Sequence, residues 1–329
     1  MNAGAIRLGI VGTGRIARRF IEEACAVSGI RVVAAYNPCR SSAERFISNL
    51  PDNIPTLTAA QSYESLIDAV DAVYISSPTE THVHYAQQAL EAGAHVLCEK
   101  PSSFQRHEIM RLYATAREKN VVFLHAVKTA FFPAFGHLEE VVRSGVICDV
   151  VSVEASFTKL MSGDVPELAA GGTGGSMRWL STYPLYAISR FLGTHLRDAQ
   201  FFSLYDERDV EVFTDGFLRF PHASASFKVG FGAKTDGSLV LTGSNGYVRV
   251  PAPWWNTSRY EVHFERPDDI VLYQAPIEGS GLRYEIQAFA EMIKGGDIRS
   301  SRVTEDNDLF FADVYARFVA GQEGLHCAL

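Results

Sequence analysis

From residue 6 to about residue 124, short β-branched and aliphatic runs alternate with stretches whose apolar positions recur every three or four residues. The first pattern fits a strand buried on both faces, and the second an amphipathic helix. It predicts strands over 6–11, 30–36, 72–75, 95–98 and 121–124, separated or followed by helices over 15–28, 41–49, 63–70, 82–92 and 104–119. Such alternation builds a parallel sheet with helices on both faces, a doubly wound nucleotide-binding layout. Past Phe131-Phe132-Pro133 the order changes to a helix over 134–144, a strand over 150–159, a loop Gly171-Gly172-Thr173-Gly174-Gly175 and a helix over 176–192. Between 199 and 274, alternating segments such as 223–230, 238–242 and 247–250 are punctuated by Gly, Pro, Asn and Asp, which predicts an antiparallel sheet. Helices over 282–294 and 304–322 close the chain. The chain therefore reads as an α/β protein of two domains, 1–124 and 125–329, with a tight boundary and no internal repeat.

Composition narrows the partners. With 329 residues, 47% hydrophobic and 21% charged, the chain has ample material for buried cores. A formal charge of −8, without any concentrated basic stretch, excludes nucleic acid and anionic membrane surfaces as expected partners. Apolar runs such as Val121-Val122-Phe123-Leu124 are far too short to span a bilayer, and the first residues lead directly into a strand without a signal-peptide layout, so the cytoplasm is expected. Cys25, Cys39, Cys98, Cys148 and Cys327 show neither paired nor metal-ligand spacing; reduced thiols and no structural metal are expected.

The most specific motif is Gly9-Ile10-Val11-Gly12-Thr13-Gly14-Arg15-Ile16-Ala17, a G-x-G-x-x-A run between a predicted strand and a predicted helix. Gly12 permits the tight turn, Gly14 lets backbone approach a pyrophosphate, and small Ala17 allows close helix–strand packing; the helix start then faces the phosphates of a dinucleotide. Gly12, Thr13, Gly14, Arg15 and Ile16 are thus candidate cofactor contacts. The second strand ends in Tyr36-Asn37-Pro38-Cys39-Arg40-Ser41, without the carboxylate that binds the ribose of NAD. Arg40 and the Ser41 hydroxyl suit the 2′-phosphate of NADP, whereas Asn37 suits an unphosphorylated ribose; NADP is favoured over NAD.

The segment Ser76-Ser77-Pro78-Thr79-Glu80-Thr81-His82, with Ala92-Gly93-Ala94-His95-Val96-Leu97-Cys98-Glu99-Lys100-Pro101 after it, resembles the Gfo/Idh/MocA oxidoreductases. That resemblance covers the first 125 residues well. It implies a Rossmann domain followed by an α/β domain with a large, open, mainly antiparallel sheet, and NAD(P)-linked oxidation or reduction of a sugar, cyclitol or related polyol. It places Ser77, Pro78, Thr79 and His82 beside the cofactor and Glu99, Lys100 and Pro101 at its nicotinamide end, with the Lys100–Pro101 bond often cis in relatives. Lys100, at the carboxyl end of a parallel strand, is the expected catalytic group, taking or giving the proton of the reacting hydroxyl.

The chain departs from the family pattern in the second domain. Alignment sets Trp179 where an aspartate is common, Ser181 at a glycine and Tyr183 at a His/Tyr position, which makes Tyr183 the second expected catalytic residue. His125 and Lys128 stand where relatives more often carry Glu or Asn and an apolar residue; with Arg178, such extra cations in the crevice would favour an anionic substrate. Trp254-Trp255 suits either sugar stacking or packing of an oligomer interface. An open sheet calls for a homodimer or homotetramer. The expected function is hydride transfer between NAD(P) and a carbohydrate-like alcohol or ketone. The missing aspartate keeps a second reading, a catalytically degenerate NAD(P)-binding sensor, and a third in which transient oxidation drives a net non-redox step.

Overall fold

A computed structural model describes residues 4–297, 301–321 and 324–326; Cys327 and Gln322, which figured in the sequence reading, lie outside the described residues. The chain forms two compact units: Met1–Phe131 with Glu278–Asp308, and Phe132–Ile277 with Leu309–Leu329. They are not the contiguous 1–124 and 125–329, because Glu278–Asp308 returns to the first unit.

In the first unit the chain runs β1 (Ile6–Val11), α1 (Arg15–Ala24), β2 (Ile30–Tyr36), α2 (Arg40–Ser48), β3 (Thr58–Ala59), α3 (Tyr63–Ala69), β4 (Ala72–Ile75), α4 (His82–Glu91), β5 (His95–Glu99), α5 (Arg106–Lys119) and β6 (Phe123–Ala126). The six strands are all parallel, in the order β3-β2-β1-β4-β5-β6. Every residue of central β4 is buried, as a strand covered on both faces requires. Phe20 of α1 stacks on Tyr74 of β4 at 3.6 Å, and Leu66 of α3 lies over Gly9 so closely that a Cβ there would come within 2.9 Å of it.

Strand β6 starts two residues later than periodicity predicts, because Asn120 caps α5 in the left-handed conformation (φ 54°) and Val121 donates its N–H back to Ala116. His125 therefore lies within the strand rather than in the loop after it.

The second unit holds α6 (Pro133–Arg143), β7 (Val150–Thr158), α7 (Ser176–Leu180), α8 (Thr182–Leu192), β8 (Asp198–Tyr205), β9 (Glu211–Arg219), β10 (Ser224–Gly230), β11 (Leu239–Gly243), β12 (Tyr247–Val250), β13 (Arg259–His263) and β14 (Ile270–Gln274). After α9 (Leu282–Gly295) in the first unit, α10 (Glu305–Ala320) and β15 (Gly324–His326) complete the described chain. The nine strands form one sheet, β14-β13-β12-β11-β7-β10-β9-β8-β15, antiparallel except at β7–β10 and β8–β15. The expected large, mainly antiparallel sheet is present. The single helix expected over 176–192 is broken at Ser181. Pro184 has no N–H to offer the Leu180 carbonyl, and the Ser181 hydroxyl bonds back to Met177, so the backbone ladder is interrupted.

Within the first unit, α9 is tied to α1. Glu23 accepts from Arg283 at 3.1 and 3.2 Å and from the backbone N–H groups of Ser280 and Arg283 at 3.0 and 3.2 Å. Burial raises the Glu23 pKa, but these donors outweigh it and the carboxyl ends below its usual range. Glu23→Ala is expected to lower the unfolding free energy in urea by about 2–3 kcal/mol near neutral pH. Because the folded-state pKa is depressed, that contribution is full above the usual carboxylate range and disappears as pH falls through the lowered value. An unchanged urea midpoint at neutral pH would contradict this.

Candidate active site

The sheet order reverses direction between β1 and β4, which leaves a crevice at the carboxyl edge. Four loops meet that edge: Gly12, Thr13, Gly14, Arg15 and Ile16 after β1; Asn37, Arg40 and Ser41 after β2; Ser77, Pro78 and Thr79 after β4; Glu99, Lys100 and Pro101 at the end of β5. Gly12 has φ +95°, and a Cβ on it would lie 2.7 Å from the backbone of Ser76 and Ser77, so only glycine fits the approach of the first loop to the third. Gly14 is the N-cap of α1, makes no side-chain cap, and a Cβ there would project into open space. With no acidic residue in its first turn and Ala17 fully buried beneath, the uncapped start of α1 presents N–H groups to an open cradle, which suits a pyrophosphate.

Asn37 is committed within the protein. Its amide donates to Thr13 Oγ1 at 2.9 Å and accepts from the Cys39 N–H at 2.9 Å, so it locks the second loop to the first. Arg40 is exposed and pairs with Glu44 at 2.9 Å along α2. Cys39, exposed beside Ser41, has its thiol pKa lowered to about 7 by hydrogen bonds from the hydroxyls of Ser41 and Ser42 and from the Ser42 N–H.

His82 is buried, and its two ring nitrogens lie 2.9 Å from the carbonyl oxygens of Pro101 and Ser77. It lies between the third loop and the fourth, and an uncharged ring donates to one of the two carbonyls at a time. Burial lowers its pKa against the pull of both carbonyls. The Lys100–Pro101 bond is cis. Glu99 accepts from Tyr74 OH at 2.6 Å and from the Lys100 N–H at 3.2 Å, so its carboxylate supports the base of the lysine. His125 is 1% exposed and bonds Asp308 at 2.6 Å; Asp308 also accepts from Tyr113 OH at 2.9 Å. The idea that His125 reaches the crevice is therefore corrected: strand position buries it. Lys128, in the turn Lys128–Phe131, is half-buried.

In the second unit, Tyr183 sits on α8, 9% exposed, against Phe157, whose ring stacks on Trp255 at 3.9 Å. Trp254 is fully buried and donates to the Ser156 carbonyl at 2.8 Å, so it is a core residue and neither stacks on sugar nor faces a partner. Trp179 donates to the Thr173 carbonyl at 3.1 Å, and Arg178 is hydrogen-bonded to Tyr315. Sequence reasoning passed over Glu211, a buried carboxyl that accepts from Ser176 Oγ at 2.5 Å, Met177 N–H at 2.8 Å and Thr214 Oγ1 at 2.7 Å. Its strand-start position carried no signal.

A sequence profile described as "Oxidoreductase family, NAD-binding Rossmann fold", Gfo/Idh/MocA, matches residues 6–127. A dTDP-3,4-didehydro-2,6-dideoxy-alpha-D-glucose 3-reductase from Streptomyces violaceoruber is 30% identical over 314 residues, covering 89% of each chain. The chain belongs to the Gfo/Idh/MocA family. Among other relatives of this Gfo/Idh/MocA oxidoreductase, a trans-1,2-dihydrobenzene-1,2-diol dehydrogenase from Sus scrofa is 27% identical over 94% of this chain and 95% of the relative. The crystal structure of a 3-ketoreductase from Actinomadura kijaniata, in complex with NADP and TDP-benzene, superposes with a TM-score of 0.85 at 26% identity, covering 98% of this chain and 100% of that one. The protein is an NAD(P)-dependent oxidoreductase that transfers hydride between its cofactor and a carbohydrate-like alcohol or ketone. The relatives named here are reductases or dehydrogenases, and none supports a degenerate sensor. Among the described residues no helix is long and apolar enough to cross a membrane.

Gly14→Asp tests the cradle. Because the added side chain meets nothing in the folded protein, the melting temperature without nucleotide should stay near wild type, while NADPH affinity falls by roughly tenfold or more from a carboxylate at the phosphate position. Wild-type affinity by calorimetry would refute the placement.

Proposed function

We propose that the protein is an NADP-preferring reductase or dehydrogenase of a secondary alcohol or ketone on a sugar ring, with Lys100 as its proton-transfer group. One observation carries this reading: Lys100 stands at the carboxyl end of β5, its backbone N–H held by Glu99, on the same sheet edge as the Gly12–Gly14 loop. Similarity to the dTDP-sugar 3-reductases supports a ring ketone as substrate. A bound reduced nicotinamide would supply hydride to the carbonyl carbon. The Lys100 ammonium gives the oxygen its proton in reduction, and the amine takes it in oxidation.

Tyr183, carried by the second unit, is the second proton-handling group. Gly12, Thr13, Gly14, Arg15 and Ile16 hold the pyrophosphate end; Ser77, Pro78 and Thr79 flank the cofactor, and Glu99 and Pro101 position Lys100. His82 acts from beneath these loops. Arg40 and Ser41 face the 2′-phosphate once Arg40 exchanges Glu44 for it, and Asn37 braces that loop. The first unit is accordingly the cofactor unit, and the second serves substrate recognition and assembly. Free thiols at the described Cys25, Cys39, Cys98 and Cys148 fit a cytoplasmic enzyme.

Assembly rests on the sheet of the second unit. Strand register places Phe202, Phe217, Tyr247, Ile270 and Leu272 on one face, all exposed, opposite the face that carries α7 and α8. A second copy of the chain is the partner we assign to that face. Phe217→Arg is expected to shift the sedimentation coefficient toward a monomer; a monomeric wild type would overturn the assignment.

Lys100→Met should reduce kcat for NADPH-dependent ketone reduction by about a hundredfold to ten-thousandfold. NADPH binding, followed by thermal shift alongside NADH, should persist and be tighter for NADPH. Turnover within a few-fold of wild type would remove Lys100 from its role.

A further inference from the structure

Two features singled out in the sequence, the loop Gly171-Gly172-Thr173-Gly174-Gly175 and Arg178, meet at one cavity of about 560 Å³ that lies within the second unit. That volume suits a small molecule. Gly171 and Gly172 bring bare backbone to it, and a Cβ on either would meet nothing. Arg178 of α7 is half-buried in the wall and hydrogen-bonded to Tyr315 of α10. The turn between β8 and β9 supplies Arg208 and Asp209, both exposed. Arg208 holds Asp206 through Nε and Nη2 at 3.0 and 2.8 Å, which leaves Nη1 to donate elsewhere. Buried Glu211 also belongs to the wall, and Tyr315 and Phe318, one turn apart on α10 with ring centroids 6.0 Å apart, add an aromatic surface.

Charge around this cavity is balanced. The two guanidinium groups are offset by the carboxyl groups of Asp206, Asp209 and Glu211, so a phosphate or other anion finds no surplus of positive charge to hold it. A neutral polyhydroxylated ring fits instead, because each hydroxyl both donates and accepts, and the C–H face of the ring suits the aromatic side chains. Strand register relates the cavity to Tyr183. Phe157, whose ring centroid lies 5.5 Å from that of Tyr183, pairs with Val229 of β10, and Val229 pairs with Thr214 of β9. Two strand spacings, about 10 Å, therefore separate Phe157 from Thr214. The Thr214 hydroxyl in turn donates to Glu211 at 2.7 Å. That interval is comparable to the length of a disaccharide.

We propose that this cavity is a subsite for a second, neutral sugar ring, so that the substrate is an alcohol or ketone on one ring of a glycoside rather than a free monosaccharide or a nucleotide-linked sugar. This rests on the reading of the second unit as the substrate unit, with Tyr183 as its proton-handling group. Arg178 and Arg208 donate to hydroxyl oxygens of the second ring, Asp209 accepts from its hydroxyls, and Tyr315 and Phe318 carry its face. No bond is made or broken there, and the subsite acts through affinity alone.

Calorimetry on protein loaded with NADPH tests this, since an alcohol beside reduced cofactor cannot exchange hydride and binding is read by itself. The probes are methyl α-glucoside, maltose, trehalose and UDP-glucose. At least one disaccharide should bind wild type about tenfold more tightly than methyl α-glucoside, the worth of one hydrogen bond to a charged group, and UDP-glucose should gain nothing over the methyl glycoside. Arg178→Met and Arg208→Met should each remove that gain and leave the affinity for methyl α-glucoside at its wild-type value. If Arg178→Met fails to fold, Arg208→Met, at an exposed position, decides. Disaccharides no tighter than methyl α-glucoside, a gain that survives the substitutions, or UDP-glucose as the tightest probe overturns the subsite. Failure of the underlying reading shows separately, as wild-type turnover of a sugar ketone by Tyr183→Phe, whatever the disaccharides do.

Discussion

The approach of two backbone segments at Gly12 governs the cofactor unit. A turn after β1 passes so close to Ser76 and Ser77 that no side chain fits between them, and this contact sets where the start of α1 points and where the β4 loop begins. The hydrogen bonds from Ser76 to Val11 at 2.8 and 3.1 Å hold the same spacing from the other side. Phosphate binding through a helix start is generic physics; what makes it specific is the parallel sheet that delivers four loops to one edge and keeps their separations fixed.

A second theme is the unequal treatment of like groups. Glu99 and Glu285 share one side-chain chemistry but differ in the donors around them, and Glu23 shows the opposite extreme, a buried carboxyl with four donors. Surroundings, rather than residue type, set two of them apart: burial pushes the Glu285 pKa up, whereas four donors hold that of Glu23 down. Lysines follow the same logic, because an ammonium in a half-buried turn titrates under the influence of each neighbour it faces.

The first unit was largely legible because strands buried on both faces leave uninterrupted aliphatic runs, and Ile6–Val11, Ile30–Tyr36 and Ala72–Ile75 fall where those runs predict. Strand β3 escaped, since Thr58–Ala59 is too short to carry a period. Val121 reads as strand but is spent closing α5 against Ala116 after left-handed Asn120, and Val122 accepts from the Val96 N–H of β5 while its own N–H goes to the His95 ring, details that apolar patterning does not register. Loop residues chosen for the cofactor do gather at one edge, yet His82, Asn37 and Glu99 turn out to bond the protein itself. Partners such as Arg283 for Glu23, or Asp308 for His125, lie far along the chain, and nothing local announces them.

The ring of His82 carries one more lesson. Two carbonyl oxygens face its two nitrogens, but burial favours the uncharged ring, which has a single N–H. One of the two loops is therefore always opposed by a lone pair instead of gripped, and choosing a tautomer amounts to choosing which loop is let go. The clip joining Ser77 to Pro101 is thus a seesaw, whose breathing would appear as linked amide exchange on both sides of the crevice rather than on one.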